Sequence, residues 1–152
     1  MVWWPSTSSH IFHDEEDLTG LRGQRFYLFV KDASDIERAG EALNERLWSL
    51  GHGRYEVSAS GALLKRSVFD GAVWQTNHID FAAGAECGAG LSQQRGNPYV
   101  HGGDEFRFLD TRARLPDLTE DELIAARKNQ EKERVALQSE ATRKRDEWLQ
   151  AH

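Results

Sequence analysis

The residue with the most direct chemical use is Asp70, which closes the run Gly61-Ala62-Leu63-Leu64-Lys65-Arg66-Ser67-Val68-Phe69-Asp70. Side chains alternate along a strand, so Arg66, Val68 and Asp70 share one face if residues 66–70 are extended. A cation and a carboxylate on one face suit the phosphates of a nucleotide and a divalent cation. From spacing alone an ion pair between Arg66 and Asp70 is the favoured reading, because surface pairs are common. Three other groupings are weaker. His10 and His13 stand beside Asp14-Glu15-Glu16-Asp17, but a transition-metal site needs ligands converging from fixed elements, and this reads as an acidic loop. Cys87 with His78 and His101 has the residue types of a nucleophile and its bases, yet a lone cysteine between Glu86 and Gly88 is more often a small residue that fits. Gly84, Gly88 and Gly90 suggest a phosphate cradle but lack the strand-to-helix turn that should follow.

A few elements must position these residues. Arg25-Phe26-Tyr27-Leu28-Phe29-Val30 is apolar on both faces and rich in strand formers, which predicts a strand inside a covered sheet. Ser34-Asp35-Ile36-Glu37 is a capping box. Ile36, Ala39, Leu43, Leu47 and Leu50 then recur at helical spacing, and Gly51 supplies the left-handed stop. Tyr55, Val57 and Ala59 alternate with Glu56 and Ser58, predicting a strand with one wet face. Residues 63–74 predict one further strand or two, and 79–83 another. Glycine and polar residues across 84–105 predict a long loop, and Phe106 with Phe108 a short edge strand. Thr119-Glu120-Asp121-Glu122 is a second capping box, opening a helix from 120 to about 150. Its apolar residues keep no heptad, so a charge-paired, solvated arm is expected, touching the body at its tip. The expected division is an α+β domain over 1–115 and a helical extension over 116–152.

Composition narrows the classes. A chain of 152 residues suits one domain, and 39% hydrophobic with 29% charged residues is ordinary for a soluble fold. The net charge of −6 argues mildly against wholesale adhesion to nucleic acid, but leaves room for a local basic groove drawn from Arg22, Arg25, Lys65, Arg66, Arg95, Arg112 and Arg114. The single cysteine cannot form an internal disulfide. No stretch approaches the roughly 18 apolar residues of a membrane span. The start, Met1-Val2-Trp3-Trp4-Pro5, has no basic leader. A cytoplasmic protein with no membrane association is expected.

Taken in order, Pro5-Ser6-Thr7-Ser8-Ser9-His10-Ile11-Phe12, the run at 25–30, Ala33-Ser34-Asp35-Ile36-Glu37-Arg38-Ala39, Leu47-Trp48-Ser49-Leu50-Gly51-His52-Gly53, the run at 61–70, His78-Ile79-Asp80-Phe81-Ala82-Ala83-Gly84-Ala85 and Leu109-Asp110-Thr111-Arg112 are spread over most of the chain's length, from 5 to 112. This pattern resembles the archaeo-eukaryotic primase superfamily carried by bacterial plasmids and prophages, usually fused to a helicase. The resemblance implies an α+β fold, a small mostly antiparallel sheet with packed helices like an RNA-recognition motif, with the long charged helix at the C-terminus. It implies template-directed nucleotidyl transfer using Mg2+ or Mn2+, with Asp70 as the later metal-binding, catalytic aspartate. Lys65 and Arg66 would face phosphate or template, and Ser9, His10 and Arg25 would contact nucleotide. The implied partners are single-stranded DNA or a primer-template, nucleoside triphosphates, and a helicase domain or another replication protein. Two departures stand out. No Asp-x-Asp lies upstream of the strand at 25–30, and Phe26 or Tyr27 replaces the histidine expected after Arg25. Asp70 alone cannot hold two cations against water. The expectation is therefore a primase segment that polymerises weakly or not at all by itself. The other expectation is a non-catalytic module of the same fold, gripping nucleic acid or a replication partner.

Overall fold

The computed structural model describes residues 1–75, 82–102 and 107–152. In chain order the elements are β1 (Val2–Pro5), β2 (Ile11–His13), β3 (Glu16–Asp17), β4 (Gln24–Tyr27), α1 (Ile36–Ser49), β5 (Arg54–Val57), β6 (Leu63–Arg66), β7 (Leu91–Gln93), β8 (Tyr99–Val100), α2 (Thr111–Arg114) and α3 (Glu120–Ala151). This is an α+β chain with small antiparallel sheets and a long C-terminal helix. Chain contacts divide it into two compact units, Met1–Lys31 with Ile79–Asp110, and Asp32–His78 with Thr111–His152. No helix among the described residues is long and apolar enough to cross a membrane.

The second unit is built around Trp48, whose side chain is fully buried. Its ring lies against Gly53, where a methyl group would overlap the indole. Tyr55 sits on the ring at 5.2 Å, and the Lys65 ammonium lies 5.6 Å from its centroid. Gly51, at φ +80°, ends α1 as its type predicts, and the chain turns straight into the β5–β6 hairpin. Helix α1 starts differently from its sequence signature. Asp32, not Ser34, accepts the first amide, from Ser34 N at 3.0 Å, and a 3-10 turn over Ala33–Asp35 precedes the helix. Asp35 is drawn inward instead. It accepts both Nε and Nη2 of Arg38, at 2.6 and 2.8 Å, and the hydroxyl of Thr111. These bonds, from Arg38 first, hold its carboxyl far below the usual aspartate range.

The capping box of α3 forms as its sequence predicts, with Thr119 and Glu122 exchanging bonds. The helix is no free arm, however. Ala126 and Ala141 are buried, and their small side chains let α3 lie close along α1 and β5. Asn129 donates to the carbonyls of Trp48 and Ser49 at the end of α1, adding to the bond that Trp48 O accepts from Gly51 N at 3.1 Å. Gly61, at φ +76°, brings the β5–β6 turn against the Ala141 carbonyl.

The first unit is all strand and loop among its described residues. β1 is central between β4 and β8, both antiparallel to it, and β2 lies between β3 and β7. Two sequence expectations change here. The strand at 25–30 is not a buried one: β4 edges a three-stranded sheet, no helix occurs among the described residues of its unit, and Phe26, Leu28 and Phe29 are about half exposed. The loop at 84–105 yields β7 and β8, the first entered through a left-handed turn at Gly90. The strand expected at 79–83 and the Phe106 half of the edge strand lie outside the described residues. Phe108 packs edge-on against Phe29 at 6.1 Å.

Gly53→Ala forces the indole aside and is expected to cost about 1–3 kcal/mol, the range for overpacking a close-packed site, read as a lower midpoint in urea unfolding. Asp35 has a depressed pKa when folded, so its stabilisation is complete above the unfolded value of about 4 and is lost as pH falls through the lower folded value. Asp35→Asn should therefore lower Tm at neutral pH and flatten the acid limb of the stability profile; an acid limb as steep as in the parent would refute this.

Candidate functional site

Register decides what β1, β4 and β8 display. Trp3 is paired with Phe26 on one side and with Tyr99 on the other. Directly opposed residues in an antiparallel sheet project from the same face, so three aromatic side chains form one row across all three strands. Phe26 is 55% and Tyr99 58% exposed, and Trp3 between them is half-buried. The Trp3 indole N–H donates to Gln24 Oε1 at 2.7 Å, which orients the ring from the same face. His101 stacks on Tyr99 at 6.4 Å, beside the row along the direction of β8. No sequence reading singled out Trp3, Phe26 and Tyr99 together. The aromatic types were visible, but Tyr99 lies in a segment read as loop and the pairing with Trp3 is long-range.

The opposite face carries Trp4, with the Arg95 guanidinium 4.3 Å from its ring. Beside them opens a cleft of about 460 Å³ lined by Trp4, Gly84, Ala85, Cys87, Gln93 and Arg95 among others. Its walls are held by Gln93, which donates to the carbonyls of Thr7 and Ser9 and accepts from Ala85 N.

The sequence-predicted residues fall in two groups. In the first unit, Ser9 is fully buried, and its hydroxyl serves Arg22 N, Gly23 N and Gly23 O. It closes a loop. His10 bonds Asp17 Oδ2 through Nδ1 at 2.8 Å. That bond, with the amides of Gly20 and Thr19, lowers the Asp17 pKa. The acidic run is thus a capped turn. Arg25 donates to Thr7 Oγ1 at 3.1 Å. Cys87 Sγ faces the Ala85 carbonyl at 3.8 Å while His101 stacks on Tyr99, and His78 lies outside the described residues.

In the second unit, Lys65 pairs with Glu45, and Arg66 with Glu56 at 3.3 Å. Arg54 first and Arg66 second lower the Glu56 pKa. Neither pairs with Asp70. The strand that would have aligned Arg66 with Asp70 stops at Arg66. Ser67 is buried with its hydroxyl donated to Phe69 O, and Asp70 Oδ1 accepts Ala72 N at 3.0 Å, so the chain turns there. Trp74 then seats its ring on Gly40 of α1, with Phe69 edge-on to it at 5.4 Å. Asp70 is exposed and lines neither the cleft beside Trp4 nor the one between Tyr55 and α3.

A two-cation centre does not fit the described residues. No three of their His, Cys, Asp or Glu side chains gather where an ion would sit, whereas hard cations need several oxygen ligands. Among known proteins, no family model matches this chain, and no curated protein or solved structure does either.

Proposed function

We propose that this chain is a module that binds single-stranded nucleic acid by stacking unpaired bases on Trp3, Phe26 and Tyr99, within a cytoplasmic replication protein of the primase kind that the sequence resembles. One observation carries the reading: an aligned aromatic row on an open antiparallel sheet. Every base has a flat face, so such a row grips unpaired strands with little regard to sequence. The RNA-recognition-motif-like organisation belongs to the same proposal, since sheets of that kind use aromatic rings in this way. Duplex DNA hides its base faces and should compete poorly. Template-directed nucleotidyl transfer with Mg2+ or Mn2+ belongs to a site in which another segment or chain brings further carboxylates to Asp70. By itself, Asp70 supports a turn.

Fluorescence anisotropy with a labelled oligonucleotide at low salt tests the proposal. Phe26→Ala and Tyr99→Ala should each weaken binding by about 5- to 150-fold, the equivalent of roughly 1–3 kcal/mol per stacked base. With few cations beside the row, the log–log salt slope should be shallow, on the order of 2 or less in magnitude. No association at low salt, or unchanged affinity in both variants, refutes the stacking site. Asp70→Ala should leave binding within about twofold, inside the scatter for a surface change, and primer extension with manganese should stay negligible in parent and variant alike. Robust extension by the parent, abolished in Asp70→Ala, would restore the catalytic reading.

A further inference from the structure

Gln24 stands on the same sheet face as the aromatic row. It pairs with Pro5 in the register that sets Trp3 against Phe26, two residues along each strand, and side chains two apart share a face. The backbone that delivers it is bonded on both sides. Gly23 O accepts Ser6 N at 2.7 Å and the buried Ser9 hydroxyl at 3.2 Å, and Gly23 N donates to that same hydroxyl. Gln24 is exposed all the same. Its amide is thus a polar group set in water at the margin of the rings.

The neighbouring ring decides which end of that amide is which. An indole N–H can only donate, so the atom that Trp3 Nε1 meets at 2.7 Å is the carbonyl Oε1. Nε2, on the other limb of the same planar group, keeps both N–H donors, and the side chain makes no other hydrogen bond among the described residues. A free glutamine pairs well with adenine, giving an N–H to N7 and accepting the amino group through its oxygen. Here the indole already draws on that oxygen. What remains on offer beside the row is a pair of donors.

We propose that Gln24 reads the edge of a base stacked on the row, donating Nε2–H to a carbonyl oxygen of that base. The inference rests on the stacking site and names its preferred ligand. Guanine, cytosine, thymine and uracil each carry an exocyclic oxygen. Adenine carries none, and its amino group needs the acceptor that Trp3 holds. Thymine and uracil carry two such oxygens, so the favoured ligand is a single strand rich in thymine or uracil. Stacking supplies most of the affinity whatever the base. Gln24 adds a preference of the size expected for one hydrogen bond made in water. Gln24 touches the ligand, and Trp3 positions Gln24 as well as stacking.

Hypoxanthine isolates the contact, because it carries an oxygen where adenine has its amino group and keeps the same two rings for stacking. Short labelled oligonucleotides, one all adenine and one all hypoxanthine, are compared by fluorescence anisotropy in lithium chloride, which keeps the second single-stranded. The parent chain should bind the hypoxanthine strand about three- to tenfold more tightly, the range for one net hydrogen bond. Gln24→Glu keeps an acceptor for the indole but has no donor, so it should erase the difference or turn it toward adenine. Trp3→Phe keeps a ring in the row and releases Oε1, which should narrow the difference. Both variants should keep the parent's circular dichroism spectrum, and the ratio between the two strands cancels any general loss of affinity. Equal binding of the two strands by the parent, or a ratio unchanged in Gln24→Glu or in Trp3→Phe, overturns the readout and leaves the stacking site standing. No association with either strand removes the stacking site and the readout with it.

Discussion

An indole ring occupying the space of a missing side chain organises the second unit. Trp48 is completely buried only because residue 53 is glycine. The short link through Gly51 and Gly53 folds β5 back over the ring, Tyr55 closes it from the strand, and Lys65 lies over its face. Helix α3 can then cap the carbonyls at the end of α1 through Asn129, while its alanines allow close approach. The indole N–H has no partner among the described residues. A buried donor left unpaired carries a desolvation cost, which the packing of so large a ring offsets.

The first unit is held by different means. Its buried centre is a hydroxyl, Ser9, surrounded by loop amides, and Gln93 and Arg95 tie the strands to the loops through backbone carbonyls. Polar ties of this sort leave the aromatic residues of β1, β4 and β8 no interior to enter. Both units leave large apolar side chains exposed, among them Leu50, Val68, Val135 and Leu149 in the second and Phe26, Leu28 and Tyr99 in the first. In the first, exposed rings are aligned on one sheet face, where hydrophobic and stacking forces become available for association.

The contrast between Asp70 and the aromatic row shows how local geometry redirects a functional reading. Asp70 stands in a motif that resembles a metal-binding one, but its carboxylate completes a turn and its neighbours Lys65 and Arg66 are paired to Glu45 and Glu56. The row has no motif at all. It exists because an antiparallel register puts Trp3 between Phe26 and Tyr99, residues 23 and 96 positions further along.

Local information determined much by itself: the extent of α1 and its glycine stop, the capping box and span of α3, the alternation of β5, and the α+β class. These depend on propensities and on bonds between residues a few positions apart, which adjacent side chains settle without help. Strands β1, β2, β7 and β8 were not legible, because each is two to four residues long and pairs with distant chain, β2 doing so with β7 as well as with its neighbour β3. The same long-range pairing decided which aromatic rings share a face. Burial was also a tertiary decision. The apolar run at 25–30 had the look of an interior strand, yet Phe26, Leu28 and Phe29 are about half exposed.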